Sequence, residues 1–262
     1  MSTLAQRIRD AQVPDGHLAI FWLAQAGFVF KNHRGKVVYL DPYLSDVVER
    51  MFGFKRMMAA PIQAEEVRAD LVLCTHEHLD HMDTDALPVI ARDPKVHFAG
   101  PVECLKEFGK IGIPEQRCTL LERGRTVDFD GILVTGVYAD HGDYAPDALG
   151  LVVEIDGIKI YHTGDTAYRP QELRVAAAMS PDVLIPCING AYGNMDSRDA
   201  AQLARDLSPR FAIASHFWMF VVHGGDPASF LSECKNLAPQ VEALVMQPGE
   251  MQLVGSAQTA VA

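Results

Sequence analysis

The chain has 262 residues, 48% hydrophobic and 22% charged, an ordinary globular balance with ample apolar material for a core. A formal net charge of −11 argues against a nucleic-acid backbone as partner, which needs a basic face, yet leaves room for a small phosphorylated substrate. No apolar run is long enough for a transmembrane helix, so no membrane span is expected.

The opening stretch, MSTLAQRIRDAQVPDGH, carries charges where a signal peptide needs its apolar segment. It reads as a short amphipathic helix ended by Pro14 and Gly16. Strand-like apolar runs follow at 18–23, 27–31, 36–40, 70–74 and 96–100, then at 132–138, 150–155, 158–162, 183–187, 211–215 and 242–246. Asp156-Gly157, between two of these runs, is a hairpin signal, because glycine supplies the positive φ of the turn. Helical spacing appears at 85–93, 102–110, 170–179, 197–207 and 227–237, with Ser197 and Asp226 at the expected N-cap positions.

Strand-rich halves, each completed by helices, suggest an α+β protein with two sheets face to face and helices outside, a four-layer αββα sandwich, which periodicity alone does not distinguish from other mixed folds. No repeat or long linker interrupts the chain, so residues 1–262 read as one domain. The segment 45–61, SDVVERMFGFKRMMAAP, fits neither periodicity; it is either a partly buried excursion on the core or a lid. Five cysteines without a CxxC pair point to reduced thiols and a cytoplasmic setting.

The chemistry concentrates at 71–83, LVLCTHEHLDHMD, where a strand ends and His76, His78, Asp80 and His81 follow at once. In extended chain, residues two apart point the same way, so His76 and His78 can reach one metal ion. Asp80 and His81, beyond a turn, can face a second. Imidazole suits zinc, iron and manganese, and a carboxylate hardens the set towards manganese or zinc. Three more ligand-capable residues follow strands: His141 in ADHGD, Asp165 in YHTGDT and His216 in SHFWMF. Singly each is weak; with the 76–81 cluster they compose a two-metal site.

The pattern H-x-H-x-D-H, with single ligands downstream in this order, resembles the metallo-β-lactamase superfamily. Within it, WLAQAGFVFK (22–31), DPYLSD (41–46), YHTGDT (161–166) and PCINGAYGNMD (186–196) are similar to the L-ascorbate-6-phosphate lactonase (UlaG-like) group. The resemblance implies the metallo-β-lactamase fold and two divalent ions, Mn2+ or Zn2+. His76, His78 and His141 would hold one ion, Asp80, His81 and His216 the other, and Asp165 would bridge them. It further implies that Asp41 orients a ligand histidine through its distal ring nitrogen; the alternative is a turn former ahead of Pro42. His162 is either a similar support or a satisfied strand-end histidine.

The implied activity is hydrolysis of an ester-type bond by a cation-activated water, the substrate a lactone of a sugar acid or phosphosugar acid such as L-ascorbate 6-phosphate. Asp80, Asp165 and His216 are the catalytic candidates, Asp80 also as proton acceptor. Asn189 and Tyr192 are donors for a developing oxyanion. A phosphate would look to Lys55, Arg56, Arg169, Arg198 or His223, with Arg56 first by resemblance, although each is more simply read as a solvated surface group. One departure stands out: Trp218 occupies the place where many relatives carry an aspartate.

Rival readings are a small-molecule phosphodiesterase on the same site and a non-catalytic metal-binding protein. His78, where flavin-coupled di-iron oxidoreductases carry a carboxylate, argues against those enzymes. The expected partner is a small molecule, neither nucleic acid nor membrane, and a homo-oligomer is compatible with the sequence.

Overall fold

In the computed structural model, which describes residues 2–256, the chain forms two compact units. One comprises residues up to Leu121 together with those from Gln247 on, and the other spans Glu122–Met246.

The first unit carries α1 (Leu4–Asp10), β1 (His17–Trp22), β2 (Phe28–Asn32), β3 (Val37–Leu40), α2 (Val47–Phe52), β4 (Leu71–Leu73), α3 (Ala86–Ile90), β5 (His97–Gly100), α4 (Val102–Lys110), β6 (Cys118–Leu120) and, late in the chain, β14 (Met251–Gly255). Its seven-stranded sheet runs β14-β1-β2-β3-β4-β5-β6. The first four are antiparallel neighbours, and from β3 to β6 the pairing is parallel with helical crossovers. Buried Phe21, Val72 and Phe98 join Leu4 and Ile8 of α1 and Phe108 of α4 in one apolar core. Phe98 and Phe108 meet at 5.7 Å between ring centroids, a contact worth about 1 kcal/mol beyond its burial.

The amphipathic helix expected at the N-terminus is α1, capped by Thr3 and Gln6 and ending well before Pro14. Its terminal carbonyls are satisfied by Lys31, whose Nζ donates to Ile8, Arg9 and Ala11. Segment 45–61 contains α2, which Gly53 terminates in the left-handed conformation (φ 76).

The second unit carries β7 (Thr126–Phe129), β8 (Ile132–Tyr138), β9 (Leu149–Ile155), β10 (Ile158–His162), α5 (Pro170–Leu173), β11 (Val183–Ile185), α6 (Ser197–Leu207), β12 (Phe211–Ile213), α7 (Pro227–Leu237) and β13 (Glu242–Leu244). Its sheet runs β13-β12-β11-β10-β9-β8-β7, parallel from β10 to β13 and antiparallel from β7 to β10. The Asp156-Gly157 turn joins β9 to β10 with both residues at positive φ, 51 and 79.

Two expectations need correction here. The helix expected over 170–179 is α5 followed by a separate 3-10 turn, Ala177–Met179. After Leu173 the amides of Val175, Ala176 and Ala177 bond three residues back, to Glu172, Leu173 and Arg174, and Ser180, left-handed at φ 51, ends the segment. The N-cap of α6 is Asp196, whose carboxylate accepts from the amides of Arg198 and Asp199; Ser197 is already helical. Among the described residues no helix is long and apolar enough to cross a membrane.

Candidate metal centre

In the first unit, the parallel register pairs Leu40 with Leu73, so β3 and β4 end side by side. The next residues, Asp41 and the stretch from Cys74, therefore emerge at one sheet edge, where parallel strands present ligands. Thr75 binds Asp41 twice, by its amide to Oδ1 (2.8 Å) and by its hydroxyl to Oδ2 (2.7 Å). His81 Nδ1 lies 2.8 Å from the same Oδ2. The carboxylate can only accept, so Nδ1 of His81 carries the proton and a lone pair is left at Nε2. The Thr75 hydroxyl proton is committed to Asp41, so its 3.0 Å contact with His76 Nδ1 is one in which the imidazole donates. His76 too then presents its Nε2 lone pair.

A turn closed by the amides of His81 and Met82 on the His78 carbonyl brings the cluster together. The ring centroids of His76 lie 4.6 Å from those of His78 and 4.1 Å from those of His81. His76 and His81 are fully buried, whereas His78 and Asp80 are partly exposed. Asp80 Oδ2 lies 3.8 Å from His81 Nε2 and accepts a 2.6 Å hydrogen bond from Gln25 Nε2. Gln25 escapes the sequence reading because its role depends on backbone geometry. Ala24 and Gln25 are both left-handed (φ 72 and 50), and Trp22 Nε1 holds the Gln25 carbonyl at 3.0 Å. The third carboxylate of the motif, Asp83, is structural, accepting from the amides of Leu44, Ser45, Asp85 and Ala86.

In the second unit, β8 and β10 are both antiparallel to β9 and hence run the same way, as do β11 and β12. His141 after β8, Asp165 after β10, Asn189 after β11 and His216 after β12 thus share one edge. Asp165 sits between two imidazoles, its Oδ1 3.1 Å from His216 Nε2 and its Oδ2 3.7 Å from His141 Nε2. All three are at least nine-tenths buried. Asn194 Nδ2 donates to Asp165 Oδ2 at 2.7 Å and fixes the carboxylate plane. Asn194, like Thr75 and Gln25, is a residue that sequence reading misses.

His216 is left-handed (φ 57), and the ring of His223 stacks on it at 5.0 Å and 25°. Gly224 and Gly225, next in the chain, pass close to the loop after β11 and to Phe217. A Cβ at Gly224 would meet the Asn189 carbonyl at 2.7 Å, and one at Gly225 would meet Phe217 Cβ at 2.5 Å. His162 accepts at Nδ1 from the Gly164 amide (3.1 Å), the satisfied strand-end arrangement.

The cation candidates separate. Arg56 is engaged with its own segment, donating to the carbonyls of Met58, Ser45 and Tyr43 and lying 4.5 Å above the Tyr43 ring. That is a strut for the 43–58 excursion, so the structure gives Arg56 a role other than receiving a phosphate. Arg198 pairs with Glu233 across α6 and α7, Arg169 pairs with Asp140 at 2.6 Å, and Lys55 is exposed. The Arg169 guanidinium beside Asp140 holds that carboxyl below the usual carboxylate range. Asn189 is buried and Tyr192 is exposed on the same loop.

Both clusters fit a divalent metal on donor chemistry: largely buried imidazoles, with Nδ1 of His76 and His81 committed to Thr75 and Asp41, and the carboxylates of Asp80 and Asp165 held by side-chain amide donors.

The comparisons with known proteins agree. Residues 19–216 match the beta-lactamase superfamily domain. A UPF0173 metal-dependent hydrolase of Thermoplasma acidophilum is 32% identical over 88% of this chain and 96% of its own, and one of Cupriavidus taiwanensis is 30% identical over 93% and 89%. The fold is shared with Igni18, a metallo hydrolase from Ignicoccus hospitalis (TM-score 0.72, 24% identity, 91% of this chain and 98% of that one). It is also shared with an isothiocyanate hydrolase from Delia radicum gut bacteria (TM-score 0.73, 21% identity, 91% and 99%). A superfamily match over most of the chain and relatives at this identity and coverage establish that the chain belongs to the beta-lactamase superfamily and, within it, to the UPF0173 metal-dependent hydrolases.

Proposed function

We propose that the protein hydrolyses an ester-type carbonyl, in first place a lactone, with two divalent ions, manganese or zinc. His76, His78 and His141 would hold one ion and Asp80, His81 and His216 the other, with Asp165 common to both. The observation that carries the reading is the way each cluster is prepared from behind. Asp41 and Thr75 aim the Nε2 atoms of His81 and His76, and Asn194 aims the carboxylate of Asp165.

When bound, the ions would make hydroxide available from water near neutral pH and polarise the scissile carbonyl. The protein's own part is positional and protonic. Asp80, held by Gln25, is oriented to take up the proton released as water adds to the carbonyl carbon. Asn189 and Tyr192 follow β11, where an amide or hydroxyl can donate to the oxygen on which charge develops. The resemblance to the L-ascorbate-6-phosphate lactonase group supports a lactone of a sugar acid, and the engagement of Arg56 removes one support for its phosphate. Four buried cysteine thiols support a reducing, cytoplasmic setting.

The test is to purify the protein without added metal, measure bound metals by elemental analysis, and assay lactones and a phosphodiester with Mn2+ or Zn2+ restored. About two equivalents per chain and metal-restored lactone hydrolysis are expected. Preferential phosphodiester cleavage would replace the reaction, and absence of stoichiometric metal after reconstitution would end the two-ion reading.

A further inference from the structure

The second unit carries a cleft of about 460 Å³, lined by His141, Tyr144, Tyr192, Asp140, Asp143 and Arg169 among others. Its aromatic lining is continuous. Tyr144 leans on His141 (centroids 5.7 Å), Tyr192 meets Tyr144 edge to face (6.4 Å, 88°), and Tyr192 meets His223 at 5.7 Å. His223 in turn stacks on His216, so the run of rings leads from one candidate metal ligand to another. Tyr144 is 63% exposed and Tyr192 45%, so both offer ring surface to a bound molecule.

Tyr192 is also held in an uncommon conformation, at φ 54. The loop is closed around it by Asn194 N to Ala191 O (3.0 Å) and Gly190 N to Met195 O (2.9 Å). Asn194 of the same loop fixes Asp165, so the position of the tyrosine is coupled to that of a candidate ligand. Non-glycine residues in this region concentrate at ligand sites, where the surrounding structure over-determines them.

The charges of the cleft disfavour an anion. Asp140 and Asp143 contribute two carboxylates against one guanidinium, Arg169, which Asp140 already binds at 2.6 Å. Arg123, the other cation bearing on Asp140, donates to the carbonyls of Ala139, Pro146 and Ala148 and lies over the Tyr138 ring. Away from the ion that His141 would hold, a phosphate would meet side-chain charge that is net negative, whereas an uncharged ring would cover two tyrosine faces and displace their water.

We propose that this cleft selects the substrate: an uncharged lactone or ester bearing a flat or apolar group that packs on Tyr144 and Tyr192, in preference to a phosphorylated one. The inference rests on the hydrolase reading above and narrows its substrate class.

The test compares three lactones on the metal-restored full chain: dihydrocoumarin (uncharged, aromatic), δ-valerolactone (uncharged, small) and phosphogluconolactone. Dihydrocoumarin is expected to exceed the phosphorylated lactone in kcat/KM by about tenfold or more, the scale of one aromatic packing contact with its burial. In Tyr144→Ala and Tyr192→Ala the dihydrocoumarin to δ-valerolactone ratio falls by about tenfold, and in the Phe variants it is retained. Preference for the phosphorylated lactone, or a ratio indifferent to both tyrosines, overturns the proposal.

A second readout is independent of turnover: titration of dihydrocoumarin and of phosphogluconate into the metal-free wild type and the double Ala variant. Dihydrocoumarin binding that weakens about tenfold in the variant supports the cleft even if no lactone is hydrolysed, in which case the hydrolase reading falls alone. Tighter binding of phosphogluconate, or no dependence on the tyrosines, overturns it.

Discussion

Asp41 Oδ2 lies 2.8 Å from His81 Nδ1, and neither side chain has any solvent exposure. Asp41 itself is left-handed (φ 46), a conformation that asparagine and aspartate adopt more readily than most residues and that turns the carboxylate back under the 75–81 loop. The three donors it receives, from Thr75 twice and His81 once, leave it no freedom to exchange roles.

Asp41→Asn tests this arrangement. Whichever way the amide is turned, its NH2 faces a donor, either the Thr75 amide or His81 Nδ1. Metal affinity is expected to fall by about 10–100-fold, with about 1–3 kcal/mol of stability lost to the unpaired donor. Competition with a chromophoric chelator and a denaturant melt measure the two effects; an unchanged affinity would mean that His81 is positioned by packing alone.

Gln25→Ala removes the 2.6 Å hydrogen bond to Asp80 and leaves every proposed ligand atom in place. The expected result is about a tenfold loss of kcat at saturating metal, the lower end for loss of a group that orients a ligand. Undiminished turnover would show that Asp80 needs no support from this side.

These two residues mark how far the sequence was legible. Ligand chemistry demands histidine and aspartate at strand ends, rare enough that His76, His78, Asp80, His81, His141, Asp165 and His216 stand out. Gln25 and Asn194 are ordinary residues whose roles come from a left-handed turn and a loop closure, which spacing does not encode. The sheets divide in a similar way. Strands buried on both faces, such as β1, β2 and β9, read as continuous apolar runs. The unrecognised β6, β7 and β14 are sheet edges with half-exposed sequences, CTL, TVDF and MQLVG, too polar and short to stand out.

Arg56→Ala separates a structural from a substrate-binding arginine. Three carbonyls lose their donor and Tyr43 loses its stacked guanidinium. A loss of roughly 2 kcal/mol or more is expected in a thermal or denaturant melt. KM for a phosphorylated lactone should change less than about twofold, since a bound phosphate contact would be worth a charge-assisted hydrogen bond of about 1.5–3 kcal/mol. A large rise in KM with stability intact would return Arg56 to the substrate.

The cysteines give a prediction in pH. Burial pushes the Cys187 thiol up to about 12, with the Asp165 carboxylate adding to the effect, and burial pushes Cys234 up to about 11 and Cys104 well above its ordinary value. A thiol that ionises at higher pH in the folded than in the unfolded chain stabilises the fold fully below its unfolded value. That contribution shrinks as pH rises from about 9 through the folded value, because the unfolded chain releases its proton first. At about 1.4 kcal/mol per unit, the folded state should lose several kcal/mol between roughly pH 9 and 12, and Cys187→Ala should flatten part of that slope. Denaturant melts across this range measure it. At pH 8 a thiol reagent should modify the partly exposed Cys118 first and reach buried Cys74, Cys104, Cys187 and Cys234 only at the rate of unfolding. Rapid modification of all five in the native protein would mean that these thiols are not sealed in the folded units.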